Sequence, residues 1–556
     1  TQDLKLAINN LKLKLVKDKS GRSNWQHLLK PKDEKDPDDK SAFDLNSLDI
    51  ASISIKDAAI GYSDAASGAQ YDLSKLNLKT GAFTPGEPCD IELSAALLSK
   101  APAANVNIGF SGTLKPDFKH NKLDTQDLKL SVKGKAKDLD VASTLKTRLL
   151  ADFGAQVFNL QNLALETELA GKQIPNGKQT VTLGGNLAYN AKQGALRFAN
   201  GKLTAADLTL TTDITGSGLS GEQARLSGPI TLSRFTPRKL AETFGIKLNT
   251  ADPQAYSAAS MSTQYSGDFK SARLQNLVLT LDQTSIKGQV TIEDFKTMAI
   301  AFALKLDAID ADRYLPPRPP PPAKTAKNPK SAPAGSPTAA LNQIQLPSAA
   351  LDKLNANGTF DIGKLKVNKL SLSDIRLKLA GKPGAIKEQS LSAQLYGGSI
   401  NLNHRFTPGA NAGYALKTQL SSFEAAPFLK DLLGKDYVSG TADLTLDLSG
   451  RGKTVADLRS SLNGSVKALA KNGAVKGFNL GQIIRRGEAA LAGNLAYRET
   501  TAPETDFSTI SVSGNIVNGV LSSDDLAAAS PLFRVSGSGQ IDLARETINY
   551  TARPTI

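Results

Sequence analysis

The chain has 556 residues, too many for one ordinary hydrophobic core and enough for two to four conventional domains. Its net charge of +14 is spread along the chain, and aromatic residues make up only 6%, which is thin for stacking against bases, so we expect no nucleic-acid partner. The single cysteine, Cys89, excludes an internal disulfide and a zinc site built from several thiolates. No run of 18 apolar residues occurs that would span a bilayer.

Alternation of apolar and polar residues begins at once, with Leu4, Leu6 and Ile8 in "TQDLKLAINNLKLKL". This stretch has no initiating Met and is a strand pattern, not a signal peptide. We therefore interpret the chain as a fragment whose natural N-terminus has been removed. Because alternate residues of a strand point to opposite faces, the pattern predicts sheets with one apolar face.

The same alternation returns throughout the chain. Turn signals such as "KNG", "PNG", "VNG" and "GSG" separate the segments, as in antiparallel meanders. Roughly 30 strands are expected from the usual spacing, or about 140 Å of sheet at 4.8 Å per strand. An apolar face of that size cannot stay flat in water. The fold class predicted is therefore mainly β: a long, curved antiparallel sheet that forms an elongated apolar groove, with a few short capping helices. The residues predicted to line the groove are Leu128, Leu130, Leu208, Leu210, Leu277, Leu279, Leu281, Leu444, Leu446 and Leu448.

Three short helices are predicted beside the strands. The first, "RFTPRKLAETFG", has Thr236 as its N-cap, Pro237 at the first helical position and Gly245 as its terminator. The segment "SFEAAPFLKDLLG" repeats this design and ends at Gly434. The third, "NLGQIIRRGEAAL", begins at Asn479. We expect these helices to pack against a sheet edge or close a groove end; for the third, a membrane-surface role is the alternative.

Residues 316–343 are expected to form a proline-rich linker or surface insertion. It separates an N-terminal groove region, 1–315, from a C-terminal groove region with short helices, 344–556. A polar run at 30–40 is interpreted as a solvated loop, because it lacks the spacing and glycine of a calcium loop.

No catalytic constellation is visible. "DLSGRGKT" at 447–454 ends like a phosphate-binding loop, but Asp447 replaces the required glycine, so Thr454 is predicted to cap a short helix instead. In "GSVKALAKNGAVKGFNLGQIIRR", which follows, we expect strand, turn, strand and helix. His27, His120 and His404 are isolated, and Cys89 has no histidine nearby. We predict no enzyme activity, no cofactor and no metal.

Several segments in the correct order resemble the AsmA family. They are "GRSNWQHLL" at 21–29, "IKDAAIGYSDAASGAQYDLSKLNLKTGAF" at 55–83, "LDAIDADRYLPP" at 306–317, "GTADLTLDLSGRGKTVADLRSSLNGSVKALAKNGAVKGFNLGQIIRR" at 440–486 and "DFSTISVSGNIVNGVLSSDDLAAASPLFRVSGSGQIDLARETINYTARP" at 506–554. The resemblance covers nearly the whole chain and lacks the family's usual N-terminal membrane helix.

This resemblance implies a protein of the Gram-negative envelope, anchored to the inner membrane, with its bulk in the periplasm. It further implies a part in outer-membrane biogenesis, similar to bridge-like lipid transfer proteins that carry phospholipid between inner and outer membrane. The expected partners are phospholipid acyl chains, the two membranes and envelope proteins. A scaffold or chaperone for outer-membrane protein assembly is the alternative, and an enzyme acting on an envelope polymer is the third hypothesis.

Overall fold

The structure, a computed structural model, describes residues 4–25, 50–221, 223–317, 344–477, 479–492, 503–531 and 533–555. The solvated loop at 30–40, His27 and nearly all of the proline-rich segment lie outside these residues. The chain divides into two compact units: unit 1 comprises residues 1–248 and 256–269, and unit 2 comprises residues 249–255 and 270–556.

Unit 1 is built almost entirely of β-strands. Its described residues form 14 strands: β1 Leu4–Asn9, β2 Lys12–Lys17, β3 Ile50–Asp64, β4 Gln70–Thr80, β5 Cys89–Lys100, β6 Ala103–Asp117, β7 Lys122–Ala136, β8 Leu139–Asp152, β9 Val157–Ala170, β10 Lys178–Asn190, β11 Ala195–Ala205, β12 Leu208–Ser217, β13 Arg225–Phe235 and β14 Ala259–Gly267. A 3-10 turn at Pro175–Gly177 joins β9 to β10, and helix α1, Pro237–Thr243, follows β13. From β3 to β14 each strand pairs antiparallel with the next, as a meander does.

Unit 2 repeats the same construction and carries more helices. Its described strands are β15 Ala272–Leu281, β16 Thr284–Asp294, β17 Ala299–Asp310, β18 Ala356–Val367, β19 Leu370–Gly381, β20 Lys387–Leu395, β21 Gly398–Thr407, β22 Gly413–Glu424, β23 Thr441–Arg451, β24 Asn463–Lys476, β25 Glu504–Val517, β26 Val520–Ala529, β27 Arg534–Asp542 and β28 Thr547–Thr555. Its helices are a 3-10 turn at Ala311–Arg313, α2 Ser348–Lys353, α3 Ala425–Leu433, α4 Val455–Ser460 and α5 Leu480–Leu491.

The prediction of a mainly β fold with few, short helices is confirmed, but the antiparallel pattern is not complete. Strands β1 and β2 both pair parallel with β3, and β17 pairs parallel with β18. A parallel pair needs a crossover connection because the chain must return to the same end of the sheet. Long segments, 18–49 and 311–355, separate β2 from β3 and β17 from β18. The sheets are therefore mixed.

Bulges interrupt several of the strands. Asp57, Asn162, Asn200 and Ser422 have positive φ values of 51°, 51°, 52° and 53°. The backbone N–H of each donates to an Asn or Asp side chain on the next strand, for example Asn200 to Asp213 Oδ1 at 2.8 Å. A bulge adds one residue to one strand of a pair, which bends the strand and increases its twist.

The helix predictions are largely confirmed. Thr236 is the N-cap of α1, and Gly434 ends α3 in the left-handed conformation with φ of 79°. Asn479 Oδ1 accepts from the Gln482 N–H at the start of α5. Thr454 caps α4 in a capping box with Asp457, whose carboxylate also accepts the Lys453 N–H at 3.0 Å. The Gly-Lys-Thr sequence is thus a turn and a helix cap, as predicted.

One turn prediction is wrong. "KNG" at 471–473 lies inside the 14-residue strand β24, where the sequence predicts two strands joined by a turn. Asn472 has a φ of 51°, so it supplies a bulge instead of reversing the chain. The "VNG" signal does form a turn, between β25 and β26, and "PNG" forms the 3-10 turn after β9.

Candidate functional site

The apolar side chains of unit 1 form a continuous row across its sheet. Directly paired residues of neighbouring strands point to the same face. Following the pairing from β1 through β3 to β14 gives 13 apolar residues, one per strand, which we call the unit 1 row: Ile8, Ile55, Leu78, Leu93, Phe110, Leu130, Leu145, Leu165, Leu183, Leu203, Leu210, Leu232 and Met261. At about 4.8 Å per strand the row extends roughly 58 Å, about four times the thickness of one leaflet's hydrocarbon.

No large side chain of this row is fully buried. All 13 are partly exposed to solvent. The buried apolar residues of unit 1 are mostly small, such as Ala58, Ala95 and Ala151, at 0%, 6% and 5% exposure. In an ordinary core, by contrast, leucines are packed on all sides. The apolar face of unit 1 therefore remains accessible to an apolar ligand.

The opposite face of the same strands is polar. Lys129, Lys146 and Lys202 alternate with members of the unit 1 row, together with Glu166 and a series of threonines. A cavity of about 610 Å³ lies among these side chains. Thr182 and Thr204 share a hydrogen bond there. The two faces of unit 1 thus differ sharply in chemistry.

Unit 2 has a comparable but less uniform row. The pairing from β15 to β25 connects 11 residues, which we call the unit 2 row: Leu277, Gly288, Leu304, Phe360, Leu377, Leu391, Leu402, Thr418, Leu446, Val466 and Gly514. Two glycines and a threonine interrupt the large apolar side chains. The hydroxyl of Thr418 is buried and has no hydrogen-bond partner among the described residues.

The ten leucines predicted to line a groove fall on these two faces. Leu130 and Leu210 belong to the unit 1 row, with Leu128 and Leu208 two positions along their strands. Leu277 and Leu446 belong to the unit 2 row. On the same face of unit 2 lie Leu279, Leu281, Leu444 and Leu448. Contact of these residues with lipid stays a prediction.

Helix α3 covers part of the unit 2 face. Buried Leu395, Leu420 and Phe423 form a cluster with Ala425 of the helix, and Phe428 packs edge-on against Phe423 at 5.0 Å between ring centroids. Leu444 packs against this cluster and is partly buried. The helix covers the apolar face at the ends of β20 to β23, in agreement with the predicted capping helices.

A buried lysine lies near the opposite ends of the same strands. The Lys387 side chain has 0% exposure, and its Nζ donates to the carbonyl oxygens of Asp352, Lys382 and Ala385 at 3.0, 2.8 and 2.9 Å. Its Nζ also lies 5.9 Å from the centre of the Phe406 ring. Lys387 thereby joins α2 and the 382–385 turn to the sheet. Sequence reasoning missed it, although Lys387 stands in phase with Leu391 and Leu395 along β20.

His404 also points to the apolar face of unit 2. It pairs across the strands with Gln389 and Leu416, and its ring lies 6.2 Å from that of Tyr414. Burial lowers the pKa of His404 below its usual value, because the charged imidazolium loses hydration. His120 instead contacts Asp117 in an exposed turn, at 2.8 Å.

Few other side chains of the described residues could take part in catalysis or metal binding. Cys89 is buried, and burial raises the pKa of its thiol. Among the described residues, no group of three or more His, Cys, Asp or Glu side chains is arranged to hold a metal ion. Within the same residues, every helix is too short or too polar to cross a membrane.

The sequence of the chain is similar to those of known proteins. A family model described as the AsmA family matches residues 4–526. "Protein AsmA" of Escherichia coli (strain K12) is 21% identical over 179 residues, which make up 32% of this chain and 29% of that protein. The aligned segment thus spans less than a third of the relative's length.

Proposed function

The chain belongs to the AsmA family, and on this premise we propose that it binds phospholipid acyl chains on its apolar sheet face and passes them along it. The family is linked to biogenesis of the envelope and outer membrane and is not a known enzyme family. The proposed setting is the periplasm, with phospholipid moving between the inner and outer membranes. The proposed activity is binding and passage, not catalysis.

The unit 1 row is the observation that carries the proposal. Thirteen neighbouring strands each contribute one partly exposed apolar side chain, and soluble proteins rarely leave so large an apolar surface in water. An acyl chain gains roughly 0.8 kcal/mol for each CH₂ that it buries. Covering about eight CH₂ groups would contribute roughly 6 kcal/mol.

The uniformity of the row favours movement over tight retention. Ten of its members are leucine or phenylalanine from strands spaced about 4.8 Å apart, so an acyl chain meets similar contacts at each step. Its free energy then changes little as it slides. Direction must come from the membranes at either end.

Photo-crosslinking at adjacent positions tests this proposal. p-Benzoylphenylalanine is placed at Leu130, on the apolar face, or at Lys129, on the polar face of the same strand. After irradiation, we expect phospholipid adducts at position 130 and few at position 129, as measured by mass spectrometry of the intact protein. Equal labelling at both positions, or none at position 130, would contradict the proposal.

A scaffold for outer-membrane protein assembly is the second candidate, and strand β28 favours it. Within the described residues β28 pairs only with β27, and eight of its nine residues are exposed. An exposed edge strand can pair with a strand of another protein. Binding of an unfolded outer-membrane protein that protects the β28 amides from hydrogen exchange, without any lipid adduct at position 130, would favour this function.

A further inference from the structure

The polar face of unit 2 contains a cavity of about 700 Å³ in the middle of its sheet. Its floor is formed by five neighbouring strands, β18 to β22. The volume falls in the range of small-molecule sites. Each of these strands is paired on both sides, so a ligand meets side chains here and not the free backbone groups of a sheet edge.

Strand pairing places ten of the lining residues on one face of the sheet, in two adjacent rows that we call the polar rows. The first row is Thr359, Lys378, Ser390, Asn403 and Lys417, and the second row is Asn357, Ala380, Glu388, Arg405 and Ala415. Each residue pairs directly with the next one in its row, and the two rows lie two residues apart along every strand. A ligand that lies across the cavity can therefore contact both rows at once.

Cationic groups predominate in the polar rows. Lys378, Arg405 and Lys417 carry positive charges. Arg405 Nη2 donates to Oε1 of Glu388, the one carboxylate in the lining, at 3.0 Å. Lys417 Nζ pairs with Asp447 beyond the cavity at 3.1 Å, whereas Lys378 forms no ion pair among the residues that the structure describes. The Lys378 ammonium group is therefore the position at which an anionic group of a ligand gains most.

Amide and hydroxyl groups lie between and beside these charges. The side chains of Asn357, Thr359, Ser390 and Asn403 line the cavity. In the part of the chain that the structure describes, none of these four side chains hydrogen-bonds to the protein. An amide donates and accepts, and so does a hydroxyl. The two alanines of the second row leave room for a ligand to reach these groups.

The chemistry of the polar rows favours an acidic ligand that is rich in hydroxyls. Leu379 points to the opposite face, because it alternates with Lys378 along β19, so the polar rows offer little aliphatic surface to an acyl chain. None of the ten residues is aromatic, whereas binding of single-stranded nucleic acid relies on aromatic stacking. Sugar hydroxyls can donate to a carboxylate or an amide oxygen and accept from an amide, ammonium or guanidinium N–H. A carboxylate on the sugar would match the single charge of Lys378.

We propose that the polar rows bind an acidic oligosaccharide, with the Lys378 ammonium group on one of its carboxylates. Asn403 and the Arg405–Glu388 pair contact its hydroxyls. The site lies on the face opposite the unit 2 row, so the inference goes beyond the proposed function and does not depend on it. A glycan bound there would hold unit 2 by its polar face and leave the apolar face open to acyl chains.

Calorimetric titration of the 556-residue chain with three probes tests the site. The probes are trigalacturonate, uncharged maltotriose, and citrate, which carries carboxylates but no sugar ring. We expect trigalacturonate to bind and Lys378→Gln to weaken its binding about tenfold, because one charge-assisted contact is lost. Lys467→Gln is the matched control and should leave binding unchanged. Lys467 is an exposed lysine on the same face of β24 that pairs with Thr445 and Ser513 and does not line the cavity.

Asn403→Ala separates the sugar contacts from the charge contact. We expect it to weaken binding of trigalacturonate severalfold and to leave binding of citrate unchanged. Citrate that binds as tightly as trigalacturonate would show a site for simple anions and overturn the glycan assignment. Maltotriose that binds as tightly as trigalacturonate would overturn the role of Lys378. Equal losses for Lys378→Gln and Lys467→Gln, or no binding of trigalacturonate to the unaltered chain, would overturn the site itself.

Discussion

A single carboxylate in the middle of the unit 1 row should obstruct passage of an acyl chain. Leu165 lies on β9, paired with Leu145 on one side and Leu183 on the other. Leu165→Asp places a hydrated charge in the row. Ala164→Asp is the matched control, because it introduces the same charge one residue away, on the polar face beside Lys146 and Gly184.

The size of the effect follows from the strand spacing. A hydrated carboxylate keeps an acyl chain from contacting about one strand's width, which displaces three or four CH₂ groups into water. At roughly 0.8 kcal/mol each, the obstruction costs about 3 kcal/mol. A barrier of that size slows passage roughly 100-fold. Leu165→Ala, which removes volume without adding charge, should slow it far less.

Transfer of a fluorescent phospholipid between quenched donor vesicles and acceptor vesicles measures this rate. Photo-crosslinkers at Phe110 and Leu203, on either side of Leu165, show whether lipid reaches both parts of the row. Thermal melting of each variant excludes unfolding as the cause. If Leu165→Asp and Ala164→Asp transfer lipid at the same rate, the row is not the path.

Three further predictions concern stability. His404 binds protons less readily in the folded than in the unfolded chain, so acidification below about pH 6.5 should favour unfolding. His404→Leu should therefore lessen the fall in melting temperature between pH 7.5 and pH 5.5. An unchanged fall would contradict the assignment. Lys387→Met leaves three carbonyl oxygens without their donor and should cost about 3 kcal/mol in denaturant unfolding, whereas exposed Lys378→Met should cost almost nothing. Thr454→Ala removes the cap of α4 and should cost about 1 kcal/mol, with Thr454→Ser restoring most of it; equal stability of the two variants would refute the cap's contribution.

Alternation of apolar and polar residues along the sequence was sufficient to predict the strands, because it indicates which side chains lie on the same face of the sheet. It fails at bulges, where the apolar spacing slips by one residue. Leu73 and Leu78 are five residues apart, yet both lie on the apolar face of β4, because Lys75 between them has a φ of 50°. The same slip separates Leu274 from Leu277 around Asn276. An apolar spacing of three or five, with a polar residue inside it, is thus a usable signal for a bulge.

The parallel pairings could not be read from the same pattern. Neighbouring strands that are close in sequence pair antiparallel through short turns, so a meander follows from turn signals. Strands β17 and β18 are separated by 45 residues, and their pairing depends on where that segment leads the chain. Local alternation contains no information about this path. Where a long segment separates two strands, the sequence pattern therefore does not determine whether they pair parallel or antiparallel.

Polar residues at strand positions that face the apolar side show a second limit of prediction from alternation. Lys387 and His404 occupy positions that alternation assigns to leucine or valine, and both are needed to describe the unit 2 face. Lys387 donates to the carbonyl oxygens of Lys382 and Ala385 nearby and to that of Asp352, 35 residues away, and alternation of apolar residues predicts none of these bonds. Lys387 and His404 both lie on the apolar face of unit 2, beside the 11-member unit 2 row. If lipid moves along apolar rows, the polar interruptions of unit 2 should slow it there, and His404→Leu should speed transfer without affecting lipid labelling at Leu130.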